Sequence, residues 1–175
     1  MKNLPNFVTG SLKVFLILSI AGLILKSAFA TWALFSHHLN LEGYILKFYD
    51  GVDFTKIFQT DAAAFTVLLF FALLINILLI NLFLAALKIL KNLNFENPFG
   101  QNLIPLFRRI SIMALIVGMV SIILKIYIET SVSNDLVLST QMGESSYLWF
   151  AAIVYIVTLV YQKGISIQSE IDLTI

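Results

Sequence analysis

The residues best suited to chemistry in this sequence are two lysines, Lys26 and Lys125, each of which interrupts a long apolar run. A charged side chain at the centre of a bilayer costs about 2.5–3.5 kcal/mol, so it needs a partner or access to water. Glu129 lies one helical turn after Lys125, and Asp61 opens a neighbouring run. These groups indicate either an outward-facing polar pocket that binds an anionic group or lipid headgroup, or lysines that snorkel or form structural ion pairs. The structural role is the simpler interpretation.

Two asparagines, Asn76 and Asn81, lie within the second apolar run. Asparagine side chains in lipid hydrogen-bond across helices. A separation of five residues does not place the two on one helix face. We therefore predict a role in helix association, and not a shared polar pathway.

Motifs for catalysis or metal binding are absent from the sequence. The only histidines, His37 and His38, are adjacent and would need acidic ligands from elsewhere to hold zinc. The chain contains no cysteine, no H-E-x-x-H, no G-x-S-x-G and no glycine-rich phosphate loop. We predict no catalytic residue, no metal and no cofactor. Aspartate-based chemistry is the one enzymatic option that remains open.

Composition places the chain in a bilayer. Of its 175 residues 59% are hydrophobic and 12% charged, whereas soluble domains are about 45–50% apolar and about 25% charged. Most of the apolar surface must therefore face lipid or other helices. The net charge of +1 leaves no basic face for nucleic acid.

Four apolar runs predict an all-α integral membrane four-helix bundle that forms a single domain over residues 1–175. At about 1.5 Å per residue, about twenty residues cross the hydrocarbon layer of roughly 30 Å. Asp61 is a candidate N-cap for the second run, and Pro105 should kink the third helix near its start. The predicted spans are 12–35, 62–87, 106–128 and 145–165.

Three local features have alternatives. The first run also resembles a signal peptide, with the small residues Ala28 and Ala30 as a cleavage pattern, although Lys26 and the apolar continuation to Phe35 argue against it. Apolar residues at helical spacing over 41–52 predict a short amphipathic helix on the outer membrane surface or a packed loop. A short strand is an option over 135–140.

The positive charges indicate which way the chain is oriented. The segment from Lys88 to Arg109 has four basic residues and a single acid, Glu96, whereas residues 129–146 have three acids and no Lys or Arg. Cytoplasmic loops carry an excess of Lys and Arg, so we predict that both termini are cytoplasmic. The cytoplasmic side then holds Lys2, Lys13, Lys88, Lys91, Arg108, Arg109 and Lys163, against Lys47 and Lys56 outside.

The tail from Gly164 to Ile175 can be interpreted in two ways. Its apolar residues alternate as in a strand, but Ile167, Ile171 and Ile175 also follow helical spacing. We favour a helix that continues the fourth span. Glu170 and Asp172 lie beside these isoleucines. They would pair with the basic residues between Lys88 and Arg109 or help to dock a cytoplasmic protein.

Two motifs resemble a known family. The segment Phe95-Glu96-Asn97-Pro98-Phe99 followed by Asn102, and the ending Glu170-Ile171-Asp172-Leu173-Thr174-Ile175 after Gly164, are similar to those of an uncharacterised bacterial membrane family, domain of unknown function 2975. The resemblance implies a four-span protein of a bacterial inner membrane, with no assigned activity and an accompanying small helix-turn-helix regulator.

These observations together predict a non-enzymatic membrane regulator that docks a cytoplasmic partner. The expected docking residues are Asn97, Pro98, Phe99, Arg108, Arg109, Glu170 and Asp172. The alternatives are an oligomeric transporter or channel that uses Lys26 and Lys125, and an accessory subunit of a larger membrane complex. A homo-oligomer is compatible with each of these functions.

Overall fold

The computed structural model describes residues 4–35, 57, 61–93, 100–131 and 144–172. Within these ranges the chain forms helices and no strand. All four long helices are apolar enough to cross a membrane, so the chain is a multi-pass membrane protein. The all-α four-span prediction is confirmed. The helices are α1 (Leu4–Phe35), α2 (Ala62–Asn92), α3 (Ile104–Ser131) and α4 (Glu144–Asp172).

Each helix is longer than the span predicted for it. The 31 residues of α2 reach about 46 Å at about 1.5 Å per residue. The hydrocarbon layer is only about 30 Å thick. Helix α2 therefore tilts or projects beyond the apolar layer, as its sequence predicts.

Asp61 caps the start of α2, as predicted. Its carboxylate oxygen Oδ1 accepts hydrogen bonds from the backbone N–H groups of Ala63, at 2.9 Å, and Ala64, at 3.1 Å. The backbone N–H of Asp61 donates to the Ile57 carbonyl at 2.7 Å. These bonds satisfy donors that the first turn of a helix leaves without partners.

A short 3₁₀ turn, Gln101–Leu103, leads directly into α3. The N–H of Leu103 donates to the carbonyl of Gly100 at 3.1 Å. Pro105 is the second residue of α3, where its missing N–H breaks no helical hydrogen bond. The helix type changes at Ile104, and the kink predicted at Pro105 stays a prediction.

Helix α2 packs against both α1 and α3, and α3 packs against α4. Buried side chains form two clusters at opposite ends of this bundle. The acidic-end cluster, near Asp61 and Glu129, contains Ile57, Ala64, Phe65, Leu68, Leu69, Leu124 and Ile128. The basic-end cluster, near Lys88 and Arg109, contains Leu82, Ala85, Ile89, Leu103, Ile110, Ala114 and Ala151.

Helix α1 lies at the edge of the bundle. It contacts α2, but none of its most apolar window is buried. Large side chains such as Phe15, Leu18 and Leu25 are exposed. In a bilayer these side chains face lipid, so their hydrophobicity does not stabilise the contact with α2.

The C-terminal tail is helical as far as Asp172, so the strand interpretation is wrong over that part. Helix α1 continues without a break through the Ala28–Ala30 pattern to Phe35. The predicted surface helix over 41–52 and the optional strand over 135–140 lie outside the described residues.

Candidate functional site

Helices α3 and α4 approach each other closely at Gly118. A Cβ atom at this position would lie 2.6 Å from Leu148 Cδ2 and 2.9 Å from Leu148 Cγ. Both distances are shorter than carbon–carbon van der Waals contact. Only glycine therefore permits this separation of the helices without movement of Leu148.

A second contact, a buried hydrogen bond, joins the same two helices closer to Arg109. Ser111 Oγ donates to the Ala151 carbonyl at 2.9 Å. Ser111 belongs to a line of small residues on α3, and such residues allow close packing of transmembrane helices. The buried members of this line are Ser111, Ala114, Gly118 and Ser121.

Tyr161 connects α4 to the segment that precedes α3, at the end of the bundle that carries Lys88 and Arg109. Its hydroxyl donates to the Gly100 carbonyl at 3.1 Å. Its ring packs against Phe107 of α3, with ring centroids 5.4 Å apart and planes tilted by 54°. Gly100 directly follows Asn97, Pro98 and Phe99, which lie outside the described residues. Tyr161 therefore fixes Gly100, the residue that follows the predicted docking motif in sequence, against α4.

Five exposed cations surround this end of the bundle. We define the basic end by these residues: Lys88 and Lys91 of α2, Arg108 and Arg109 of α3, and Lys163 of α4. Lys88 adjoins Ile89, and Arg109 adjoins Ile110, and both isoleucines belong to the basic-end cluster. The packing of α2 against α3 thus brings cations that are distant in sequence to a similar level along the bundle.

The spacing of charges along α3 matches a bilayer. Arg109 and Glu129 are separated by about twenty residues, or about 30 Å along the helix. This is the approximate thickness of the hydrocarbon layer. The stretch between exposed Arg109 and exposed Glu129 is therefore long enough to cross this layer.

The two intramembrane lysines lie within helices, Lys26 in α1 and Lys125 in α3, and both are half-buried. Each interacts with another group of the chain. That observation favours the structural role over an open anion pocket. The described contacts do not bring the two lysines together in one site.

The two asparagines of α2 differ in their surroundings. Asn76 is 5% exposed and interacts with another group of the chain. Asn81 is half-buried, and its Nδ2 donates to the Ile77 carbonyl of the same helix at 2.9 Å. Burial among packed helices agrees with the association role for Asn76, whereas the bond of Asn81 is local.

The tail acids lie on the last turns of α4. Glu170 is exposed, and its Oε1 accepts a hydrogen bond of 3.5 Å from Ser166 Oγ. Asp172 is the last residue of the helix. The polar residues of the tail therefore lie on a helix that continues past Lys163 to Asp172.

Within the described ranges, no group of three or more His, Cys, Asp or Glu side chains could hold a metal ion. His37 and His38 lie outside those ranges. The site residues at the basic end are cations, aromatic rings and backbone carbonyls. This set suits the binding of anions or protein surfaces.

Sequence reasoning missed the α3–α4 contacts. Ser111, Gly118 and Tyr161 each join elements that are far apart in sequence. The signal that was available is the spacing of small residues along the third apolar run. For Tyr161 no comparable signal exists, because its acceptor is a backbone carbonyl.

No protein family model, no curated protein and no solved structure matches this chain. The resemblance to domain of unknown function 2975 therefore stays a prediction that rests on the two motifs.

Proposed function

We propose that this chain is a non-enzymatic regulator of a bacterial inner membrane. Its cytoplasmic face would hold a soluble partner and release it according to the state of the membrane. The family resemblance implies that the partner is a small helix-turn-helix transcription regulator. The excess of Lys and Arg at the basic end supports a cytoplasmic location for that end.

The proposal rests on the contacts that Tyr161 makes at the basic end. The Tyr161–Gly100 hydrogen bond and the Tyr161–Phe107 ring contact connect α4 to the start of α3. These contacts pack Gly100, which follows Asn97-Pro98-Phe99 in sequence, against a surface that also carries exposed Arg108 and Arg109. A partner that binds this face would meet a preorganised surface, which lowers the entropic cost of binding.

The helical tail supplies the second part of the docking face. From Gly164 to Asp172 it extends roughly 13 Å beyond Lys163, at about 1.5 Å per residue. Ile167 is 47% exposed on this segment, and exposed Glu170 lies one turn further on. An amphipathic helix of this kind fits a groove on a protein partner.

The test is retention of cytoplasmic proteins by the full chain in detergent or nanodiscs. We expect the full chain to retain a DNA-binding regulator, and a version that ends at Gly164 to lose it. The pair Glu170→Gln with Asp172→Asn should weaken retention, whereas the charge-conserving pair Glu170→Asp with Asp172→Glu should preserve it. If the full chain retains no regulator, the docking proposal fails.

A second candidate is an oligomeric transporter or channel. The observation in its favour is that Lys26 and Lys125 are half-buried within membrane helices. Four spans rarely form a pathway alone, so this function requires self-association. Solute or ion flux in liposomes that disappears with Lys125→Met would support it. An accessory-subunit function would instead give co-purifying membrane proteins.

A further inference from the structure

The basic end combines cations with exposed aliphatic side chains in a repeated pattern. Lys88 lies four residues after Leu84 on α2, and Lys163 lies four residues after Leu159 on α4. Residues four apart are neighbours on one helix face. The exposed fractions of the leucines are 44% for Leu84 and 48% for Leu159.

The same pair occurs on α3 in reverse chain order. Arg108 precedes Ile112, which is 51% exposed, by four residues. Helix α3 runs antiparallel to α2 and α4, because successive spans cross the bilayer in alternate directions. On all three helices the aliphatic residue therefore lies on the bilayer side of its cation, by about 6 Å.

This arrangement matches a phospholipid, because each cation can meet a headgroup and each aliphatic residue can meet an acyl chain. Arg109 lies about 30 Å along α3 from Glu129, which places the neighbouring Arg108 at headgroup depth. Leu84, Ile112 and Leu159 lie where the acyl chains begin. A soluble anion would use the cations alone, whereas a lipid uses both members of each pair.

We propose that the basic end binds anionic phospholipids in preference to zwitterionic ones. On each helix a lipid phosphate contacts the cation, Lys88, Arg108 or Lys163, and an upper acyl chain packs on the paired residue, Leu84, Ile112 or Leu159. This inference does not rest on the proposed function, because lipid binding by the purified chain requires no soluble partner.

The test uses the full chain in phosphatidylcholine vesicles with trace spin-labelled phosphatidylglycerol or phosphatidylcholine. Electron spin resonance measures the fraction of each lipid that the protein immobilises. Each basic residue near an anionic surface changes binding roughly fivefold. We therefore expect severalfold selectivity for phosphatidylglycerol, which declines toward unity as salt approaches 1 M, where the Debye length is about 3 Å.

Four sets of variants separate the contributions. Replacement of Lys88, Arg108 and Lys163 by glutamine should abolish the selectivity, whereas Lys47→Gln with Lys56→Gln should leave it unchanged. Arg108→Lys preserves the charge and should retain most of it. Leu84→Asn with Leu159→Asn should reduce lipid binding without changing the charge.

Three outcomes would overturn the proposal. The first is equal immobilisation of the two lipids by the unmodified chain, a result that does not depend on how any variant folds. The second is selectivity that survives the triple glutamine replacement in a correctly folded chain. The third is full displacement of the lipid by millimolar glycerol phosphate, which would assign the cations to a soluble anion.

Discussion

Helices α1 and α3 show how two spans of similar length and apolarity acquire different environments. None of the most apolar window of α1 is buried, against 39% of the corresponding window of α3. Helix α3 carries Ala114 and Val117, both 0% exposed, and Gly118 at its contact with Leu148. Helix α1 has glycines at Gly10 and Gly22, but nothing lies within 4 Å of a Cβ placed there.

The comparison shows that hydrophobicity determines whether a helix enters the bilayer. Shape and hydrogen bonding determine which other helices it packs against. Lipid is as apolar as leucine, so burial against another helix requires close packing and interhelical hydrogen bonds. Helix α3 has both at Gly118 and Ser111. The hydroxyl of Ser19 in α1 donates instead to the Phe15 carbonyl of its own helix at 2.9 Å.

The largest expected difference between the two helices concerns their glycines. Gly118→Val should lower the free energy of unfolding by about 3 kcal/mol, because the added carbons overlap Leu148. The matched variant Gly22→Val has open space around it and should change stability by less than about 0.5 kcal/mol. SDS titration of the full chain in mixed micelles measures both values.

Leu148→Ala provides a check on the cause of that loss. Combined with Gly118→Val, it should recover part of the stability by removing the overlapping atoms. Equal losses for Gly118→Val and Gly22→Val would remove the distinction between the two helices.

Leucine truncation should give the next largest difference. Leu124→Ala removes a side chain that is 2% exposed, and the resulting cavity should cost about 2 kcal/mol. Leu18 is 66% exposed, so Leu18→Ala should be nearly neutral because lipid fills the space. The same titration applies, and a loss at Leu18 as large as at Leu124 would show that α1 is packed more tightly than described.

The smallest expected difference concerns the serines. Ser111→Ala removes the hydrogen bond to Ala151 and should cost about 1 kcal/mol. Ser19→Ala removes a local bond whose acceptor belongs to the same helix, and should be close to neutral. Comparison of helix α3–α4 proximity by paired spin labels would show whether only the first change separates the helices.

Much of this architecture was predictable from the sequence. The four spans follow from apolar length, and the cap at Asp61 follows from the residue type before an apolar run. The lengths of all four helices were underestimated because helices continue past the hydrocarbon layer wherever their backbone bonds are satisfied locally. Hydropathy measures transfer into lipid and does not report where a helix ends.

The candidate site was less predictable for a different reason. Lys88, Arg108 and Arg109 were identified by charge alone. Their similar level depends on the packing of α2 against α3, which places Ile89 and Ile110 in one cluster although they are distant in sequence. The Tyr161–Gly100 bond is likewise set by tertiary packing.

The orientation of the four spans is the central claim, and cysteine labelling tests it most directly. The chain has no cysteine, so a single introduced thiol reports one position. With a membrane-impermeant maleimide on intact bacteria, Asp135→Cys should react, whereas Asn97→Cys should react only after the membrane is permeabilised. Reaction of Asn97→Cys in intact cells, with Asp135→Cys protected, would contradict the account.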